Sequence, residues 1–223
     1  MLMMTNLFSI FDPSTSMNLS MNWLSLLIPM IIFPKQFWFK KSKNLMFWML
    51  INNFLLKEFN MFKKNKMFSV MNLLSLFFLI LIMNFLGMFP YIFTPSSHLT
   101  ITLSLSLSLW MSIMIFNWFN FTMKCLAHLV PLNTPIPLMM FMVLIETIST
   151  IIRPLTLAIR LSANMIAGHL LLCLLGSCGP LIKLNFLFLV YFTQILLFIL
   201  EMAVAIIQSY VFMTLMSLYY NEL

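Results

Sequence analysis

The chain has 223 residues, 62% of them hydrophobic and 8% charged, with a net charge of +7. Soluble domains carry about 25% charged residues, so this composition excludes a soluble domain and marks an integral membrane protein with several spans. The positive charge is not a nucleic-acid signal, because the lysines form one block beside apolar segments.

Residues 1–16 are short and polar, with a turn expected at Asp12-Pro13. They lack the tripartite pattern of a signal peptide and the arginines of a transit peptide, so they are expected in the mature chain. A marginal first span is predicted over 17–33, bent at Pro29 and ended by Pro34. Eight of the twelve basic residues lie between Lys35 and Lys66. Within that block, 44–64 predicts an amphipathic helix on the membrane surface. Its apolar part, 44–59, is interrupted by Asn52, Asn53, Lys57 and Glu58. A crossing helix is the alternative. The lysine block places this loop on the positive side of the membrane and the N-terminus on the opposite side.

Spans are predicted over 67–89 and 99–121. The second opens with a Ser/Leu alternation whose hydroxyls can bond i−4 carbonyls or a neighbouring helix. No comparable alternation follows, which excludes a barrel. Residues 122–137 form a proline-rich connection in which His128 reads as a loop or interface residue, since no second histidine sits at metal spacing. Cys125, Cys173 and Cys178 lack zinc or haem spacing and read as small packing residues.

Two long apolar runs remain, predicted as helices over 138–176 and 187–220. The first run, at 1.5 Å per residue, would be about 57 Å long against a hydrocarbon core of ~30 Å. Arg153-Pro154 could break it, but the first piece would be too short to cross. One kinked helix inclined by roughly 60° from the membrane normal is the other solution, beyond the usual 0–40°.

The only two arginines, Arg153 and Arg160, lie inside this run. An arginine at bilayer depth costs about 2.5–3.5 kcal/mol on insertion scales, so it marks function by default. Arg153, Arg160, Asn164 and Glu146 are close in helical phase and form a polar stripe on one face. The second run carries Gln194, Glu201 and Gln208 at seven-residue spacing, again on one face.

In an antiparallel hairpin, facing residues have position numbers with a nearly constant sum. Glu146 with Glu222 and Arg160 with Gln208 both sum to 368, and His169 with Glu201 sums to 370. One register therefore predicts three polar layers, with the turn centred near 183–185 and a loop of about ten residues. His169 lies about 180° in phase from Arg160 and serves a different face unless the helix is distorted. Polar side chains that merely glue helices would be Ser, Thr and Asn. Three carboxylates, a histidine and a central arginine instead form the parts of a proton relay interrupted in the middle.

The motifs RPLTLAIRLSANMIAGHLLL and EMAVAIIQSYVF, with the loop HLVPLNTPIP, resemble subunit a of mitochondrial F-type ATP synthases. The resemblance covers the whole chain in length and span order. It implies an all-α polytopic membrane protein with an N-terminal span, a surface helix, a two-span hairpin and a C-terminal hairpin of two long tilted helices. It implies that Arg160 faces a rotor ring of c subunits as a charge barrier. It places Asn164, His169, Glu201 and Gln208 along a proton inlet from the intermembrane space, and Glu146 and Glu222 along an outlet to the matrix. Arg153 would be a secondary tuner. Further implied partners are peripheral-stalk subunit b, small membrane subunits such as subunit 8, and the lipid bilayer. The implied location is the mitochondrial inner membrane, with the lysine-rich loop and the C-terminus on the matrix side. No metal, cofactor or catalytic activity of the chain on its own is implied. A stand-alone ion channel or antiporter is the alternative, against which no inverted repeat is found.

Overall fold

The computed structural model describes residues 7–16, 19–32, 40–61, 70–89, 91–130, 135–179 and 184–222. Seven α-helices account for most of them: α1 (Ile28–Ile32), α2 (Lys43–Met61), α3 (Val70–Gly87), α4 (Leu99–Asn120), α5 (Thr122–His128), α6 (Met139–Cys178) and α7 (Leu184–Glu222). Among the described residues no strand forms, and the architecture is that of an all-α polytopic membrane protein.

The N-terminal segment begins with short turns, one of them at the expected Asp12-Pro13. A 3-10 turn at Leu7–Phe11 is followed by an Asx turn, in which the Ser14 amide donates to Asp12 Oδ1 at 3.1 Å. A 3-10 helix over Met21–Leu27 then runs into α1, in which Pro29 is buried and leaves the preceding turn one donor short. At 2.0 and 1.5 Å per residue this unit is about 21 Å long, shorter than the ~30 Å core. The described part of the first segment is thus a short helix, with 17, 18 and 33 outside the described residues.

Helix α2 is capped by Ser42, the residue before it, whose hydroxyl accepts from the Leu45 amide at 3.4 Å. It lies against α3, with Leu45 and Leu55 buried and Trp48 edge-on to Phe78 at 5.1 Å. Its last expected residues, 62–64, fall outside the described set. Among the described residues, three helices are long and apolar enough to cross a membrane: α4, α6 and α7. Helix α3, with 18 residues, measures about 27 Å, close to the core thickness.

The Ser/Leu alternation is helical. Thr102, Ser104, Ser106, Ser108 and Ser112 each donate to the carbonyl three residues back, one position nearer than expected. Their small side chains let α4 pack closely along α6, with Thr102 and Ser106 buried. Helix α3 packs along α7, and α6 along α7. The core lies where these meet: Leu73, Leu74, Phe77, Phe78 and Ile80 of α3, Leu157 and Leu161 of α6, and Phe212, Met213 and Met216 of α7.

Helix α6 runs unbroken through Pro154, which settles the choice between a broken segment and one long helix. Proline removes one backbone donor and crowds the preceding turn. Pro154 is buried, and neighbouring helices make such a site tolerable in a membrane. At 40 and 39 residues, α6 and α7 are each about 60 Å long, twice the bilayer core, so they must lie steeply inclined to remain within it. Helix α6 ends at Cys178 and α7 begins at Leu184, and most of the expected connection, 180–183, lies outside the described residues. Both helices extend further towards the Gly-Pro than the polar layers alone suggest.

Candidate functional site

The middle of α6 has two distinct sides. Pro154, Leu157, Ala158, Leu161, Ser162 and Met165 are buried against the rest of the bundle. Arg160 and Asn164 are exposed on the opposite side, flanked by exposed Ala163 and Ala167 of α6 and Ala203 of α7. The polar stripe therefore does not close onto α7 at this level. It is the backbone of Arg160 that α7 engages. Gln208, itself buried, donates from Nε2 to the Arg160 carbonyl at 3.3 Å. A small cavity lined by Leu157, Arg160, Leu161, Gln208, Val211 and Phe212 lies at this junction.

Nine residues further along α6, His169 Nε2 stands 3.8 Å from Glu201 Oε1 of α7, with side-chain exposures of 13% and 5%. That separation suits an ion pair or a water-bridged contact rather than a direct hydrogen bond. Neither carboxylate oxygen of Glu201 has a hydrogen-bond partner among the described residues. Gly168 makes this approach possible: a Cβ there would lie 2.6 Å from Glu201 Oε1 and 2.9 Å from its Cδ. His169 faces inward while Arg160 faces out, as their half-turn difference in phase requires. The register thus brings together two of the three expected pairs, Arg160 with Gln208 and His169 with Glu201, while the third, Glu146 with Glu222, involves a side chain outside the described residues.

At the other end of α6, Arg153 approaches Glu146 at 4.0 Å, and its guanidinium carbon sits 5.1 Å from the centre of the Tyr219 ring on α7. Both members of the ion pair are about a third exposed, so its contribution to stability is small. A cavity of about 440 Å³ opens beside them between α4, α5 and α6, lined by Trp110, His128, Glu146, Thr150 and Arg153 among others. His128 thus belongs to the wall of this cavity. Glu222 ends α7, and its side chain falls outside the described residues. Gln194 lies on α7, half-buried. No group of three or more metal-ligating side chains exists among the described residues.

No spacing in the sequence singles out His98. Its Nε2 lies 2.9 Å from the carbonyl oxygen of Phe11, and the Phe11 ring stands edge-on to His169 at 6.3 Å. The available signal was composition: only three histidines occur, and this one opens an apolar helix.

The family profile described as ATP synthase A chain matches residues 18–221. The chain belongs to the ATP synthase subunit a family. It is 51% identical over 223 residues to ATP synthase subunit a of Locusta migratoria, with 99% of both chains covered. It is 53% identical over 228 residues to that of Anopheles gambiae and 52% over 222 residues to that of Drosophila melanogaster, with 99% of each chain covered in both cases. Members of this family are the proton-translocating stator subunit of the membrane sector of a rotary complex, and this chain is one of them. The stand-alone channel or antiporter reading is not favoured.

Proposed function

We propose that α6 and α7 carry the two offset half-channels of a mitochondrial inner-membrane ATP synthase, with Arg160 facing the ring of c subunits. The observation that supports this best is the outward position of Arg160 on a helix whose opposite side is buried. Its backbone is held by Gln208, which leaves the guanidinium free for a partner. The exposed alanines beside it would let a partner helix approach closely.

A rotor carboxyl is neutral when protonated and can pass through lipid; ionised, it cannot, because an isolated buried charge is prohibitively costly. Arg160 favours the ionised form as the carboxyl passes. It cannot carry the proton across, since guanidinium stays protonated. His169 and Glu201, with Asn164 and Gln208, serve the inlet from the intermembrane space. Glu146 and Glu222 serve the outlet to the matrix, with Arg153 tuning Glu146. The cavity beside Glu146 and Arg153 offers room for water at the outlet. Each proton crossing 100 mV supplies about 2.3 kcal/mol, which biases rotation.

The chain binds no nucleotide itself and acts within the complex, beside subunit b of the peripheral stalk and small membrane subunits such as subunit 8. The N-terminal segment lies on the intermembrane side, and the lysine-rich loop and the C-terminus on the matrix side. Two contacts fit that orientation within one bundle: Phe11 touches His169 at the inlet end, and Tyr219 touches Arg153 at the outlet end. The deciding experiment is ATP synthesis driven by an imposed proton gradient in an assembled Arg160→Ala complex. Loss of synthesis is expected; normal synthesis would overturn the assignment.

A further inference from the structure

The contact between His98 and Phe11 joins parts of the chain 87 residues apart and reaches the inlet group in one further step. His98 sits on a rigid corner. The turn before it, Pro95–Ser97, is buried, and Ser97 Oγ donates to the Thr94 carbonyl at 2.7 Å and lies 3.2 Å from Thr94 Oγ1. The His98 carbonyl accepts the first amides of α4, from Ile101 and Thr102. Its ring packs against Trp23 and Phe93, each at 5.2 Å, and those two rings meet edge-on at 5.6 Å. The imidazole is therefore oriented by two aromatic neighbours. Because a carbonyl only accepts, the contact at 2.9 Å assigns the proton to Nε2.

Phe11 has two contacts of different kinds. Its carbonyl accepts from His98, and its ring abuts the edge or face of His169, whose Nε2 points at Glu201. A second tie holds the same segment, since Asn22 Nδ2 donates to the Asp12 carbonyl at 3.4 Å. Residues 7–12 thus form a strap across the inlet end of α6, fastened at one point by His98.

We infer that His98 is a positioning residue for proton uptake: through Phe11 it holds His169 in the orientation that faces Glu201. This rests on the reading of His169 and Glu201 as the inlet. A tie that served folding alone could fasten any residue of the strap. Here the residue that accepts the bond is the one that touches the imidazole of the inlet pair.

The test uses membrane vesicles holding the assembled complex, with the ATP-hydrolysing sector removed and proton conduction driven by a potassium diffusion potential. His98→Phe keeps the ring packing against Trp23 and Phe93 and removes the donor. It is expected to slow conduction roughly three- to tenfold, the change in population that loss of one ordinary hydrogen bond allows. His98→Gln restores a donor and is expected to stay within about twofold of the parent chain. Phe11→Leu keeps the carbonyl and removes the ring contact, and is expected to slow conduction to a similar degree. Because the two residues act in series, the double variant should be no slower than the slower single one. A His98→Phe complex that conducts at the parent rate overturns the proposal, as does a double variant slowed by the product of the two single effects. If His98→Phe fails to assemble, Phe11→Leu decides alone, and parent-like conduction there overturns it. Glu201→Gln is measured alongside: parent-like conduction in that variant would show that the inlet reading has failed, and the positioning role with it.

Discussion

Gln208 on α7 donates from Nε2 to the backbone carbonyl of Arg160 on α6, while its Oε1 accepts no hydrogen bond from the guanidinium. The interaction holds the helix that carries the charge and leaves the charge itself uncommitted. A direct Gln208–guanidinium bond would compete with a passing carboxylate. A bond to the main chain fixes position at no such cost. This division of labour leads to the first expectation.

Arg160→Ala should abolish proton-driven ATP synthesis while the complex still assembles, because the side chain is exposed and contributes nothing to the core. Arg160→Lys should also fail or nearly so, since a lysine can lose its proton when desolvated and then no longer separates the half-channels. Synthesis under an imposed gradient, with native gel electrophoresis for assembly, checks both.

Gly168→Ala should slow proton conduction without unfolding the chain. The added Cβ would lie 2.6 Å from Glu201 Oε1, a distance that real contacts do not reach. The carboxylate is the free end of a flexible side chain, so it will move away, and its alignment with His169 at 3.8 Å will be lost. Conduction measured on vesicles should fall by about tenfold, the scale that misplacement of a reacting group by ~1 Å commonly reaches or exceeds. Unchanged conduction would place Glu201 off the path.

Glu201→Gln removes the titrating group and keeps the volume. It should reduce proton uptake more strongly than Gly168→Ala does, because an amide cannot pass a proton on as a carboxyl does. An unchanged rate and pH dependence of transport would contradict the inlet assignment.

Arg153→Gln should reduce coupled transport by no more than about twofold, because its pair with Glu146 is partly exposed and spans 4.0 Å. Glu146→Gln should cost more if protons leave through Glu146. Equal effects of the two substitutions on the rate of ATP synthesis would show that the pair acts as a unit.

Gly87→Ala tests the packing of α3 against the turn that precedes α4. A Cβ there would come within 2.6 Å of Thr94 Cγ2, and Thr94 is buried and β-branched, so it cannot turn aside freely. Overpacking of this kind costs about 1–3 kcal/mol. Faster thermal inactivation of the solubilised complex is the expected readout.

Polar residues were the legible part of this sequence. In a chain that is 62% hydrophobic, each charge stands out, and two antiparallel helices must pair them at a nearly constant sum of positions. That arithmetic alone paired Arg160 with Gln208 and His169 with Glu201, and both pairs meet in the fold. The all-helical, multi-span class followed from composition.

What tertiary structure alone decided concerns faces and continuity. Lipid is as apolar as a protein core, so exposed Ile151, Leu155 and Ile159 look the same in sequence as buried Leu157 and Leu161. Apolar periodicity therefore could not say that Arg160 points outward while its backbone is held from behind. Nor could it show that α6 continues through Pro154, because the burial that makes proline tolerable there comes from the surrounding bundle. The contact of His98 with Phe11 spans 87 residues and leaves no periodic trace. Only the packing of the N-terminal strap against α6 brings it to the pair that Glu201 and His169 form.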